Sequence, residues 1–485
     1  MKKTLLIVLA GGTLVVIAAF APVAGEWEST FARIDAEVRQ HSRVYGTLKE
    51  ATQKIGHRLT GSTHGMEAEA YAYNTLKGYG FSDVKYQPFE VESWSRDTVT
   101  LSIVPESSDN FREVPVVSLA HSPIMADLKA GIVDVGNGLE EDFESVKDKI
   151  KGKVAVANIG LVGVTGKKNL HRSEKTALAI KYGAGGIIMV NQAPGKILLT
   201  GTASVTGALI AIPAVCISND SGRELRSWMK EEGPLEAHVN MRNFSKPIKA
   251  RNVIATLKGK TDERVIVGGH LDSWDLATGA IDNGIGSFSV LDIARTFKAL
   301  KIKPYRTIQF VMFMGEEQGL LGSKHMVKEL ARTGEIGKVR YMMNLDMTNN
   351  PKGANAFGRA DMEDFFQKVG ADIQKVDPMF ENKFSNRAGL HSDHQPFMLE
   401  GVPVAGLSGS LSPSVLQCYH ADCDKFDLVD KQQLESTVRI GSMYLYALAN
   451  AKKLPAKRFD SKQTRDYLTT QGLKEELVLG QDWRW

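Results

Sequence analysis

The chain is poor in cysteine, with Cys216, Cys418 and Cys423 the only ones in 485 residues. That excludes a small disulfide-stapled scaffold, in which several bridges stand in for a hydrophobic core. It has almost no charge excess: 60 Lys and Arg stand against 56 Asp and Glu, a formal net charge of +4. So even a balance specifies neither nucleic acid nor an acidic surface as partner. Long apolar runs are scarce as well. One lies at the N-terminus and no second follows, which excludes a polytopic membrane protein and makes the mature chain soluble. Hydrophobic residues at 43% and 45 glycines fit an ordinary globular α/β protein. The length allows two domains or three.

The N-terminal run MKKTLLIVLAGGTLVVIAAFAPVAG reads as an export signal. Lys2 and Lys3 form its basic region, and the small residues Val23, Ala24 and Gly25 offer a cleavage site. The run is also just long enough to span a bilayer, so residues 1–25 are a cleaved signal or an uncleaved anchor. No cysteine stands there for lipid attachment. Cys216 sits in an apolar strand-like run and reads as a small buried hydrophobe. Cys418 and Cys423 bracket His420, and an exported chain can bridge them or keep two thiols.

The stretch over residues 264–286, RVIVGGHLDSWDLATGAIDNGIG, organises the rest. VIVGG predicts a buried parallel strand ending at His270, and SFSVLDIARTFKAL predicts the helix that follows. A histidine and a carboxylate at the C-terminal edge of a central strand lie where open α/β sheets place ligands. Neutral imidazole is a good zinc ligand whose second nitrogen needs an acceptor, and Asp272 is near enough in sequence to orient His270. Asp282, flanked by Gly279 and Gly284, can approach a metal without crowding. Alone, His-Leu-Asp is as well explained by a strand end with a satisfied histidine.

Further signals stand at strand ends. Glu316 and Glu317 follow TIQFVMFMG, Asp346 follows YMMNL, His420 lies in CYHADCDKFD, and His391, Asp393 and His394 lie in LHSDHQPF. Successive side chains after a strand diverge, so one of two adjacent glutamates can hold metal while the other accepts a proton from water. Each signal alone has a bland account: a solvated acidic turn, a turn-capping Asp, a lone His. Two His, two Asp and a Glu at predicted strand ends suffice for two metals that share one carboxylate. Strands alternating with helices predict a mostly parallel central sheet flanked by helices. Residues 26–114 and 244–453 form this catalytic domain. Residues 115–243 read as a self-contained α/β insertion with no His–carboxylate pair of its own. His171 and His238 stand alone there and read as surface or structural. Residues 454–485 form a polar tail without a functional reading.

In order, HLDSWD, GAIDNGIG, FMGEEQGLLGS, NLDMT and YHADCDKFD resemble the di-zinc exopeptidase family of bacterial leucyl aminopeptidases, glutamate carboxypeptidase and carboxypeptidase Q. VIVGGHLDSWD is most similar in wording to carboxypeptidase Q. The resemblance runs over residues 51–450 and makes the insertion similar to a protease-associated domain. It implies two zinc ions per chain. His270, Asp282 and Asp346 would hold one, and Asp282, Glu317 and His420 the other. Glu316 would be the general base that deprotonates a water shared by the metals, with Asp272 orienting His270. LHSDHQPF is more similar to the aminopeptidase branch, which puts His394 and Asp393 on the substrate side. Residues 351–358 and 384–397 are rim candidates. Arg387 could hold a substrate carboxylate, though an exposed arginine accounts for it as well. The substrate implied is a peptide or dipeptide, and a homodimer follows only from the likeness to carboxypeptidase Q. A glutaminyl cyclase-like acyltransferase, with one zinc, and a metal-free receptor-like binding protein are the alternatives. The complete second ligand set and Glu316 argue against both.

Overall fold

The computed structural model describes residues 27–105 and 110–485; the signal or anchor segment 1–25 lies outside them. A seven-stranded sheet carries the main domain. Its order is Val84–Glu92, Pro247–Leu257, Arg306–Phe313, Thr261–His270, Val339–Asn344, Val404–Ser408, Gly353–Asn355. The four strands from Arg306–Phe313 to Val404–Ser408 run parallel, and antiparallel strands close both edges. The expected strand ends at His270, with Val265, Ile266 and Val267 fully buried. Burial on both faces is why it reads as an unbroken apolar run rather than an alternation.

Helices cover both faces. Glu28–His41, Ile285–Ala299 and Lys431–Asn450 pack on one side, where Phe31, Leu291, Phe297 and Tyr444 form the larger core. The other face buries Ile254, Ile266, Val311 and Met326 against Phe397. The tail completes this second face: Leu468 and Leu477, from two short helices, and Leu473, from the turn between them, join its core.

The inserted unit has an eight-stranded sheet of its own. It takes in Ser95–Pro105, which pairs along its length with Leu235–Phe244. The unit's sheet therefore starts upstream of residue 115. Cys216 is buried in the strand Ala214–Ile217, as a small hydrophobe. Among the described residues no helix is long and apolar enough to cross a membrane.

Candidate active site

The parallel strands all end at one edge of the main sheet, and the acidic and histidine residues gather there. After His270 the chain turns through a loop held by Arg58. That buried guanidinium donates to the carbonyls of Leu271 (2.5 Å), Thr278 (2.6 Å) and Gly279 (2.8 Å). Burial pushes its pKa down to about 10. Gly279 has φ +58°, and a Cβ there would fall 2.1 Å from the Ser273 side chain. Only glycine fits this close, left-handed turn. One irregular turn, Ala280–Gly284, then delivers Asp282 into the site. The carboxylate of Asp424 accepts the N–H groups of Ile281 (2.7 Å) and Asp282 (3.0 Å) and fixes that turn.

Asp282 stands between the two imidazoles. His270 Nε2 lies 3.3 Å from Asp282 Oδ1, and His420 Nε2 lies 2.9 Å from Asp282 Oδ2. His270 Nε2 also faces Asp346 Oδ1 at 3.4 Å and Glu316 Oε2 at 3.9 Å. His420 Nε2 faces Glu317 Oε2 at 2.9 Å. The adjacent glutamates, in the turn that follows the strand Arg306–Phe313, diverge, one toward each imidazole. His270 Nδ1 is 3.1 Å from the Asp272 carbonyl and 3.6 Å from its carboxylate. Asp272 thus meets His270 mainly through its backbone oxygen. Its carboxylate accepts from Thr60 Oγ1 (3.0 Å) and the Glu316 N–H (3.4 Å), so it also braces the glutamate pair. Ser392 Oγ donates to Asp346 Oδ2 at 2.6 Å.

These groups fit a metal centre. Among the described residues the ion pairs of Asp282, Glu316, Glu317 and Asp346 run only to His270 and His420. Glu317 Oε1 is buried without a hydrogen-bond partner. Four carboxylates crowded at one mostly buried sheet edge call for cations, because burying an uncompensated charge is costly. Burial, joined by the charges of Asp346 and Glu317, pushes Glu316 well above the usual carboxylate range. Burial likewise raises Glu317. It also works against the Asp282 charge, but hydrogen bonds from His270 and His420 hold that carboxyl low. Asp346 (24% exposed side chain) and Glu316 (10%) are more open than His270 (2%), Asp282 (5%), Glu317 (2%) and His420 (3%). The site therefore opens on the Glu316–Asp346 side.

A cleft of about 150 Å³ opens there. The main domain supplies one wall. The inserted unit supplies His171, Arg172 and Glu174, and the tail supplies Glu476, Leu477 and Asp482. His171, expected to be surface or structural, lines the cleft and stacks on His391 at 4.8 Å. His238 pairs with Asp127 away from it. Of the two rim candidates, 384–397 contributes Leu390, His391 and Gln395; 351–358 does not line the cleft, because Gly353–Asn355 is an edge strand paired with Val404–Ser408. His394 and Asp393 also lie outside the cleft lining. The short helix His394–Leu399 turns His394 inward, with Nε2 3.0 Å from the Gly389 carbonyl and its ring against Phe357. Asp393 is fully buried. The residues of this stretch that line the cleft are Leu390, His391 and Gln395 instead. Arg387 is exposed and apart from the cleft.

Arg172 went unread in the sequence. Its Nη2 lies 2.7 Å from His420 Nδ1. A Cβ at Gly201 would collide with the guanidinium, at 1.8 Å from Nε, so a glycine in the inserted unit makes room for it. Cys418 and Cys423 are bridged, and the bridge closes the loop that carries His420. Tyr419 stacks on His420 at 3.9 Å, and the Thr200 N–H donates to the His420 carbonyl. Replacing both cysteines by serine is expected to cost about 2 kcal/mol of loop order. Chelator competition should then show weaker metal retention than in the bridged protein.

Fold and site together define a metal-dependent exopeptidase: a sheet edge with two imidazoles sharing one carboxylate, at the bottom of a walled cleft. The chain belongs to peptidase family M28, whose model matches residues 252–445; a PA domain model matches residues 115–225. A probable leucine aminopeptidase 2 of Aspergillus oryzae is 30% identical over 350 residues, covering 70% of this chain and 66% of that protein. The crystal structure of a peptidase M28 precursor from Shewanella amazonensis superposes with a TM-score of 0.75 at 25% identity, over 89% of this chain and 99% of that one. An aminopeptidase from Aneurinibacillus sp. strain AM-1 gives 0.64 at 26% identity, over 88% and 97%.

Proposed function

We propose that this protein is an exported two-zinc aminopeptidase that releases an apolar residue from the amino end of short peptides. The observation that carries the reading is Asp282, which turns one oxygen to each imidazole. His270, Asp282 and Asp346 would hold one ion, and Asp282, Glu317 and His420 the other. Imidazole and carboxylate donors suit zinc. Zinc supplies Lewis acidity here, polarising a carbonyl and making water more acidic. Glu316, the carboxylate beside the open side, takes the proton from water and passes it to the nitrogen of the leaving amine. Asp272 holds His270 in position through its carbonyl. Val205, Leu320, Met347, Leu390 and Leu477 give the cleft an apolar lining that favours a leucine-like side chain, in keeping with the names of the relatives. The basic, apolar N-terminus and the Cys418–Cys423 bridge support export to an oxidising compartment.

One observation favours a dipeptidase of the carboxypeptidase Q kind. Arg172 lines the cleft, with its Nη2 at His420 Nδ1, and a guanidinium there suits a free substrate carboxylate. Hydrolysis of Leu-Gly, N-acetyl-Leu-Gly and Leu-Gly-amide separates the two. We expect acetylation alone to abolish a chelator-sensitive activity. Loss on amidation alone would mean that the carboxylate is read, and loss with either block a strict dipeptidase.

A further inference from the structure

A second group of ligand-type side chains lies at the mouth of the cleft, outside the set around Asp282. Glu174 comes from the inserted unit, His391 from the loop after residue 384, and Glu476 from the tail. One ligand atom from each falls within 4.8 Å of the others. His391 Nε2 lies 3.4 Å from Glu174 Oε1. Glu174 is 1% exposed; its Oε2 accepts the His171 N–H at 2.7 Å, while Oε1 is buried with no hydrogen-bond partner. A buried carboxylate oxygen left open toward an imidazole and a second carboxylate lacks a cation. The stacked ring of His171 fixes the plane of His391. Glu476 is 8% exposed, and its Oε1 is paired with Lys168. Lys168 is more than half exposed and can swing into solvent when a stronger cation arrives.

We propose that Glu174, His391 and Glu476 form a third zinc site, separate from the pair, which clamps the inserted unit, the rim loop and the tail together. One imidazole and two carboxylates are donors zinc accepts, with water in the fourth position. Small side-chain rotations would bring the three to the roughly 2.0–2.2 Å that zinc takes. Each ligand belongs to a different wall, so the ion would fix the width of the cleft mouth.

Zinc counting on the full-length chain tests this. The protein is stripped with chelator, dialysed against zinc and analysed for bound metal. His391→Asn is the main variant, because position 391 has φ +63° and asparagine tolerates that conformation. Glu476→Gln is the second. Each is expected to bind one equivalent fewer than the parent, and each should lose part of the zinc-dependent rise in Tm. Asp282→Asn, which removes the shared carboxylate of the pair, is expected to keep the extra equivalent. Equal zinc content in the parent, His391→Asn and Glu476→Gln would overturn the site, whatever the count at the pair. So would an Asp282→Asn protein that binds no zinc.

Discussion

Glu316→Gln is expected to lower kcat about a thousandfold, within the range for loss of a general acid–base group, with KM and bound metal unchanged. The reason lies in the divergence of the glutamate pair. Glu317 is turned to His420 at 2.9 Å, in hydrogen-bonding contact, whereas Glu316 stands 3.9 Å from His270 on the open side. Glutamine keeps the shape and the backbone N–H that donates to Asp272, but it cannot accept and return a proton. Metal analysis beside steady-state kinetics decides the role. Activity lost with metal retained assigns Glu316 to proton transfer. Metal lost together with activity would make it a ligand, because it also lies within ligand reach of His270 and Asp346.

How much of this was legible in the sequence depended on separation along the chain. His270, Glu316, Glu317 and Asp346 end or follow strands buried on both faces, so each polar residue stands out against an apolar run, and Asp282 stands out between two glycines. No local pattern assigns the strand Ser95–Pro105 to the inserted unit, because its partner, Leu235–Phe244, lies far downstream. Arg172 was invisible for the same reason: it meets His420 across 248 residues, and no local pattern marks an arginine whose room is made by Gly201. Arg58 reaches its carbonyl partners across more than 200 residues. The tail looked polar because its core leucines are spread singly over two short helices and the turn between them. Only the second face of the sheet shows that they converge. His394 shows the opposite error. The SDH pattern marked the right loop, but the helix that begins there turns its imidazole into the core and leaves His391 at the cleft.

Asp282→Asn is expected to have the other large effect, removing both metal ions of the pair and reducing activity to background. Among the described residues Asp282 is the one carboxylate paired with both imidazoles. Its charge is held by those two contacts against the penalty of burial. Asparagine keeps the size, and its backbone N–H still donates to Asp424, so the turn Ala280–Gly284 should keep its shape. What changes is that one anionic oxygen becomes an amide, which donates rather than ligates and can serve at most one of the two positions. Asp346→Asn gives the contrast. It alters only the His270 side, where Ser392 still contacts the side chain, and should release one ion while His420, Glu317 and Asp282 keep theirs. Equal metal loss in the two variants would mean that Asp282 is not shared, and the centre would then be one site with a neighbouring acid. Loss of two ions against one would make the shared carboxylate the residue on which both metals depend.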